Sequence, residues 1–126
     1  MVKYQQELIR YSRTEGDENM TVFPNDEDGQ ALKMLYKQGV DFKEPQNIDF
    51  VVAVPDKKNG KAVLETLRSH GFNCELEQDE ETEEWTCYCF ITMLLNYEEI
   101  IDIQKRFDEL SKPYDGYTEG WGLMVN

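Results

Sequence analysis

With 126 residues, 40% of them hydrophobic and 12% aromatic, the chain is long enough for one domain with its own core and too apolar for disorder. It carries 26 acidic against 13 basic side chains, a net charge of −13 at pH 7. Such a surface repels nucleic-acid phosphate and anionic membranes and steers the protein toward basic partners. No apolar run approaches the roughly 18–20 residues of a membrane span, and no basic-then-apolar leader follows Met1. The expected location is the cytoplasm.

In chain order, Tyr4, Leu8 and Tyr11 fall at helical spacing within Met1–Arg13, a weak amphipathic pattern. Thr14–Asn19 is a polar connection and Met20–Pro24 reads as extended. A clearer helix starts at Asn25, which can cap it, with Asp26, Glu27 and Asp28 placing negative charge on its first turn. Its stripe is Ala31, Leu32, Leu35 and Tyr36, and Gly39 ends it. After a crossover loop, Ile48–Val54 is an uncharged strand apart from Asp49 and is closed by Pro55. Asp56 can cap the next helix, Lys57 to His70, whose apolar side is Val63, Leu64 and Leu67 and whose terminator is Gly71.

A hairpin follows. Phe72–Glu77 alternates, Asp79–Glu84 is too charged to bury, and Trp85–Leu95 is a long uncharged run. A turn centred near Glu81–Thr82 sets Cys74 opposite Cys89, Leu76 opposite Cys87 and Phe72 opposite Ile91 on one face. The same register sets Glu75 opposite Tyr88, Glu77 opposite Thr86 and Asn73 opposite Phe90 on the other. A slip of one residue would mix the two sets. The predicted dry face is therefore Cys74, Leu76, Cys87, Cys89, Ile91 and Met93. Asn96 then caps a helix with Glu99 in the capping-box position, burying Tyr97, Ile100, Ile101, Phe107 and Leu110 and stopping at Pro113. Gly116 to Val125 is a glycine-punctuated strand.

From Ile48 onward the order is strand, helix, strand, strand, helix, strand. Two right-handed crossovers interleave into one sheet. The expected fold is α+β: a ferredoxin-like βαββαβ sandwich, a four-stranded antiparallel sheet with both helices on one face. Residues 48–125 form that core and an extra helical segment precedes it, all within one domain of residues 1–126.

Chemistry-bearing sets are scarce. The three cysteines, Cys74, Cys87 and Cys89, read as core thiols; a structural zinc site wants four ligands. The single histidine, His70, stands at a helix end, where positive charge is welcome. No catalytic residue, metal ligand or cofactor-binding residue is assigned. The candidates are instead for partner binding. Val51, Ala53, Tyr88 and Phe90 should lie on the sheet face away from the helices, flanked by Glu75 and Glu77. Trp121 joins them, although a glycine on either side leaves its face undecided. That face calls for a cover: the chain's own N-terminal part, above all the Asn25–Gln38 helix, a second copy in a homodimer, or another protein. Glu80, Glu81, Glu83 and Glu84 at the hairpin tip are either a docking element for an arginine-rich segment or a solvated turn.

Three stretches, VFPNDEDGQAL (Val22–Leu32), GVDFKEPQNIDF (Gly39–Phe50) and YDGYTEGWG (Tyr114–Gly122), make the sequence resemble the RraB family, regulators of ribonuclease E activity. The resemblance runs from about Met20 to Val125 and leaves residues 1–19 uncovered. The exit departs from the family's more compact YDGWG by Tyr117, Thr118 and Glu119. The resemblance implies a ferredoxin-like fold and a protein that binds an endoribonuclease and restrains its cleavage without being an enzyme. The implied role is a non-enzymatic, protein-binding regulator of RNA processing and decay. Its partner would be a ribonuclease or a basic protein of RNA metabolism, with no direct contact to nucleic acid or membrane. Fold analogy alone also admits a small dimeric ferredoxin-like enzyme or a metabolite-sensing module.

Overall fold

Side-chain caps decide where each helix begins. The computed structural model describes residues 23–123. In it Asp26 accepts from the Gly29 N–H and starts α1, Glu27–Lys37. Asp56 accepts from the Asn59 N–H and starts α2, Lys57–Ser69. Asn96 accepts from the Glu99 N–H and starts α3, Tyr97–Ser111. Each such bond satisfies one of the otherwise orphaned first-turn N–H groups and contributes about 1 kcal/mol. The α1 cap is one residue later than expected. Asn25 instead accepts from the Gln30 side chain, and the better-placed Asp26 carboxylate takes the cap. Gly39 and Gly71 follow α1 and α2 with φ of 91° and 92°, the left-handed conformation that closes helices.

The strands are β1 (Gln46–Val54), β2 (Asn73–Gln78), β3 (Trp85–Met93) and β4 (Tyr117–Leu123). They form one four-stranded antiparallel sheet in the order β2-β3-β1-β4. The two most apolar runs thus take the central positions, where both long edges of a strand are paired. A short 3-10 turn, Lys112–Tyr114, contains Pro113 and separates α3 from β4. The hairpin register is the expected one for every pair within the strands: Asn73 with Phe90, Cys74 with Cys89, Glu75 with Tyr88, Leu76 with Cys87 and Glu77 with Thr86. Phe72 precedes the ladder, and β3 ends at Met93, before Leu94 and Leu95. Leu95 turns into the core while Leu94 is exposed.

The core lies between the sheet and the helices. Ile48, Phe50, Val52 and Val54 of β1, with Cys74, Cys87 and Cys89, meet Val63 and Leu67 of α2 and Ile100 and Phe107 of α3. Phe107 is edge-on to both Phe50 and Phe72, at centroid distances of 5.7 and 4.8 Å. Tyr97, Ile101 and Leu110 are half-buried rather than buried.

The main difference from expectation concerns α1. It does not cross the far face of the sheet but joins the helix layer, with Ala31, Leu32 and Leu35 buried in the same core. Two polar contacts tie it to α3: Tyr97 Oη donates to Asp26, and Gln104 Nε2 donates to Asp28 Oδ1. Phe23, Tyr36 and Phe42 form an aromatic trio with centroids about 6 Å apart beside the helix. The expected helix over Met1–Arg13, the connection to Asn19 and the last residues, 124–126, lie outside the described residues.

Candidate protein-binding face

Register places most far-face side chains in three rows across the sheet, with the Asn47–Thr92 pair beyond them. Glu77, Thr86, Ala53 and Tyr117 form the row nearest the hairpin tip. Glu75, Tyr88, Val51 and Gly120 form the next, and Asn73, Phe90, Asp49 and Gly122 the third. Val51, Ala53, Tyr88 and Phe90 therefore share this face, as parity requires. Tyr88, Phe90, Thr86 and Ala53 are half-buried, Val51 and Asp49 are buried, and Glu75, Glu77 and Tyr117 are exposed. The face is thus accessible at its hairpin end and again, beyond the buried Asp49 and Val51, at the exposed Asn47–Thr92 pair.

Trp121 is not part of it. It pairs with Phe50 across β1 and β4, on the helix side, in a row with Cys74 and Cys89. Its ring is 0% exposed, and its indole Nε1 donates to Asp28 Oδ1 at 2.7 Å. A buried indole N–H wants such a partner. The α1 helix supplies it from above the sheet. Trp121 therefore belongs to the core and leaves the set of candidates.

The acidic tip has a defined shape. Asp79 Oδ1 accepts from the Glu81 and Thr82 N–H groups at 2.7 and 2.9 Å. Its own N–H donates to Glu84 O, and the Glu83 N–H donates to Asp79 O. Glu83 takes a positive φ of 65° to close the loop. The two backbone N–H groups, Thr82's first, hold the Asp79 carboxyl below its ordinary pKa. Glu80, Glu81, Glu83 and Glu84 carry no such duty and point into solvent.

Two shallow grooves connect this tip to the far face. One is lined by Glu77, Asp79, Thr82, Glu84, Thr86 and Tyr88. The other, on the opposite side of Glu84 and Thr86, is lined by Ala53, Trp85, Asp115, Tyr117 and Glu119. Together they make a surface with an aromatic side chain on each flank, Tyr88 and Tyr117, and carboxylates along the rim. Such a surface can accept the aliphatic stem of a lysine or arginine on an aromatic ring and its charge on a carboxylate. Tyr117 and Glu119 were missed by sequence reasoning. The signal lay in the β4 register, which the glycines at 116, 120 and 122 hide.

The remaining groups hold structure. Arg68 donates twice to the Cys74 carbonyl, at 2.8 and 3.1 Å. His70 is the C-cap residue of α2, its ring 3.4 Å from an Arg106 nitrogen. Cys74, Cys87 and Cys89 are free thiols buried on the helix side. Among the described residues, no group of three or more His, Cys, Asp or Glu is placed to hold a metal ion. No helix among them is long and apolar enough to cross a membrane.

A family model, RraB, described as regulator of ribonuclease activity B, matches residues 25–123. No curated protein matches the chain.

Proposed function

Since the chain belongs to the RraB family of ribonuclease-activity regulators, we propose that it is a non-catalytic inhibitor or adaptor that binds an RNA-degrading endoribonuclease. The family match over most of the chain carries this reading. The geometry supports the manner of binding: the hairpin end of the far face, with Tyr88, Thr86 and Tyr117 as floor and Glu75, Glu77, Glu84 and Glu119 as rim, receives a basic segment of the partner. Phe90 extends the apolar floor, and Glu80, Glu81, Glu83 and Glu84 supply long-range attraction. With β1 and β3 central and α2 and α3 on one side, we read the framework as a ferredoxin-like sandwich. That scaffold leaves the far face for recognition.

The test is affinity purification of the tagged chain from its source cell, followed by mass spectrometry. Enrichment of a ribonuclease or an RNA-associated protein over an unrelated acidic control is the expected result. Absence of any such protein among the enriched species would sink the proposal. If Tyr88→Ala and Tyr117→Ala both leave the enrichment intact, the partner binds elsewhere.

A further inference from the structure

We propose that Cys74 and Cys89 form a reversible disulfide by thiol–disulfide exchange with small disulfides of the glutathione class. The two residues are direct partners across the β2–β3 ladder. Directly opposed residues in an antiparallel pair hold their Cβ atoms about 4.5–5.5 Å apart, and a disulfide wants about 3.5–4.5 Å. Closure thus needs a small approach of the two strands and no change of register. Both side chains are buried in the core and 0% exposed.

The third thiol is placed differently. Cys87 stands opposite Leu76, and its Sγ faces the Gly60 carbonyl of α2 at 3.7 Å. Burial pushes its thiol up to about 12. The Arg68 guanidinium sits on the Cys74 carbonyl; the neighbouring Cys89 thiol, and after it Arg68, hold the Cys74 thiol below its ordinary value despite burial, which suits it to attack first. The neighbouring Cys74 thiol raises Cys89 in turn, with burial adding to it.

Exchange proceeds in two steps that balance. The Cys74 thiolate attacks one sulfur of the small disulfide, the S–S bond breaks, and one small thiolate leaves and takes up a proton. Cys89, deprotonated, then attacks the Cys74 sulfur of the mixed disulfide and releases the second small thiol. The protein loses two electrons and two protons, and the small disulfide gains both. Access comes from β2, an edge strand paired only with β3; edge strands open at lower cost than the global fold.

The full-length native protein is incubated with oxidised glutathione, alkylated and digested. The expected result is a species lighter by two hydrogen atoms, with Cys74 joined to Cys89, Cys87 alkylated, and reversal by a dithiol. Cys87→Ala should close the same bond, and Cys89→Ala should stop at the mixed disulfide on Cys74. Three alkylated cysteines after prolonged exposure, a persistent mixed disulfide in the wild type, or a bond that includes Cys87 would each overturn the proposal. The wild-type map decides this even if a variant fails to fold.

Discussion

The Asp28 carboxylate does more than favour the first turn of α1. One of its oxygens takes the Trp121 indole N–H at 2.7 Å and lies 3.4 Å from the Gln104 amide, joining α1, α3 and β4 at one atom. Removing the acceptor leaves a buried indole N–H without a partner, which costs about 1–3 kcal/mol. Asp28→Ala should lower the stability to urea by that amount, read by tryptophan fluorescence. Asp28→Asn, which keeps an acceptor oxygen, should lose less; equal losses would mean that the bond contributes nothing. Asp79 works at the same scale in the hairpin tip. Its folded-state pKa is depressed by the Thr82 and Glu81 N–H groups. Its contribution to order is therefore complete above the ordinary aspartate value and lost as pH falls through the lower, folded one. Carboxyl titration followed by NMR should place the Asp79 midpoint below the ordinary aspartate value, and the Glu81 and Thr82 amide shifts should follow that midpoint. A midpoint at the ordinary value would show that the loop bonds do not persist in solution.

At the scale of elements, the entry to α1 is a close backbone approach. A Cβ on Gly29 would stand 1.9 Å from the Pro24 carbonyl oxygen. Backbone, not a side-chain end, would have to move. Gly29→Ala should therefore destabilise despite alanine's higher helix propensity, by about 1–3 kcal/mol as overpacking typically costs. A melting temperature unchanged or raised would show that the Pro24 segment yields freely. This contact also shows what the sequence withholds. The caps of α2 and α3, the helix-ending glycines and the hairpin register were legible because each is set by local chemistry or by a period of two. Parity alone assigns Cys74, Leu76 and Cys87 to one face. The position of α1 could not be read this way. An amphipathic stripe says that Ala31, Leu32 and Leu35 are buried, not against which surface. Trp121 was illegible for a related reason. Between Val51 and Val52 the β1–β4 register shifts, with Gly120 opposite one and Thr118 opposite the other. The extra residue, Glu119, resets the parity on which any count from the strand's start depends. That bulge falls within the stretch that departs from the RraB exit motif, and it brings Tyr117 onto the far face.

For the whole molecule, the decisive quantity is the −13 net charge and where it is concentrated. A uniformly acidic surface raises the encounter rate with a basic partner without selecting a face. The hairpin tip projects Glu80, Glu81, Glu83 and Glu84 beyond the end of the sheet, next to the grooves bounded by Tyr88 and Tyr117. Attraction should therefore be strongest at the same end that offers aromatic contact. Changing those four glutamates to glutamine takes the net charge from −13 to about −9, so most of the field survives while its focus is removed. Once the partner is in hand, association of this variant at low salt should be slower by on the order of tenfold. Its rate should also depend less on ionic strength, because screening acts on the charges that were deleted. Tyr88→Ala and Tyr117→Ala should act on the other side of the equilibrium, leaving association nearly unchanged and speeding dissociation, since lost short-range contact is felt only after docking. Rapid-mixing and surface-binding measurements separate the two. Slow association in the tyrosine variants, or unchanged association in the glutamine variant, would show that charge and contact do not act at one site and would remove the hairpin tip from the binding account.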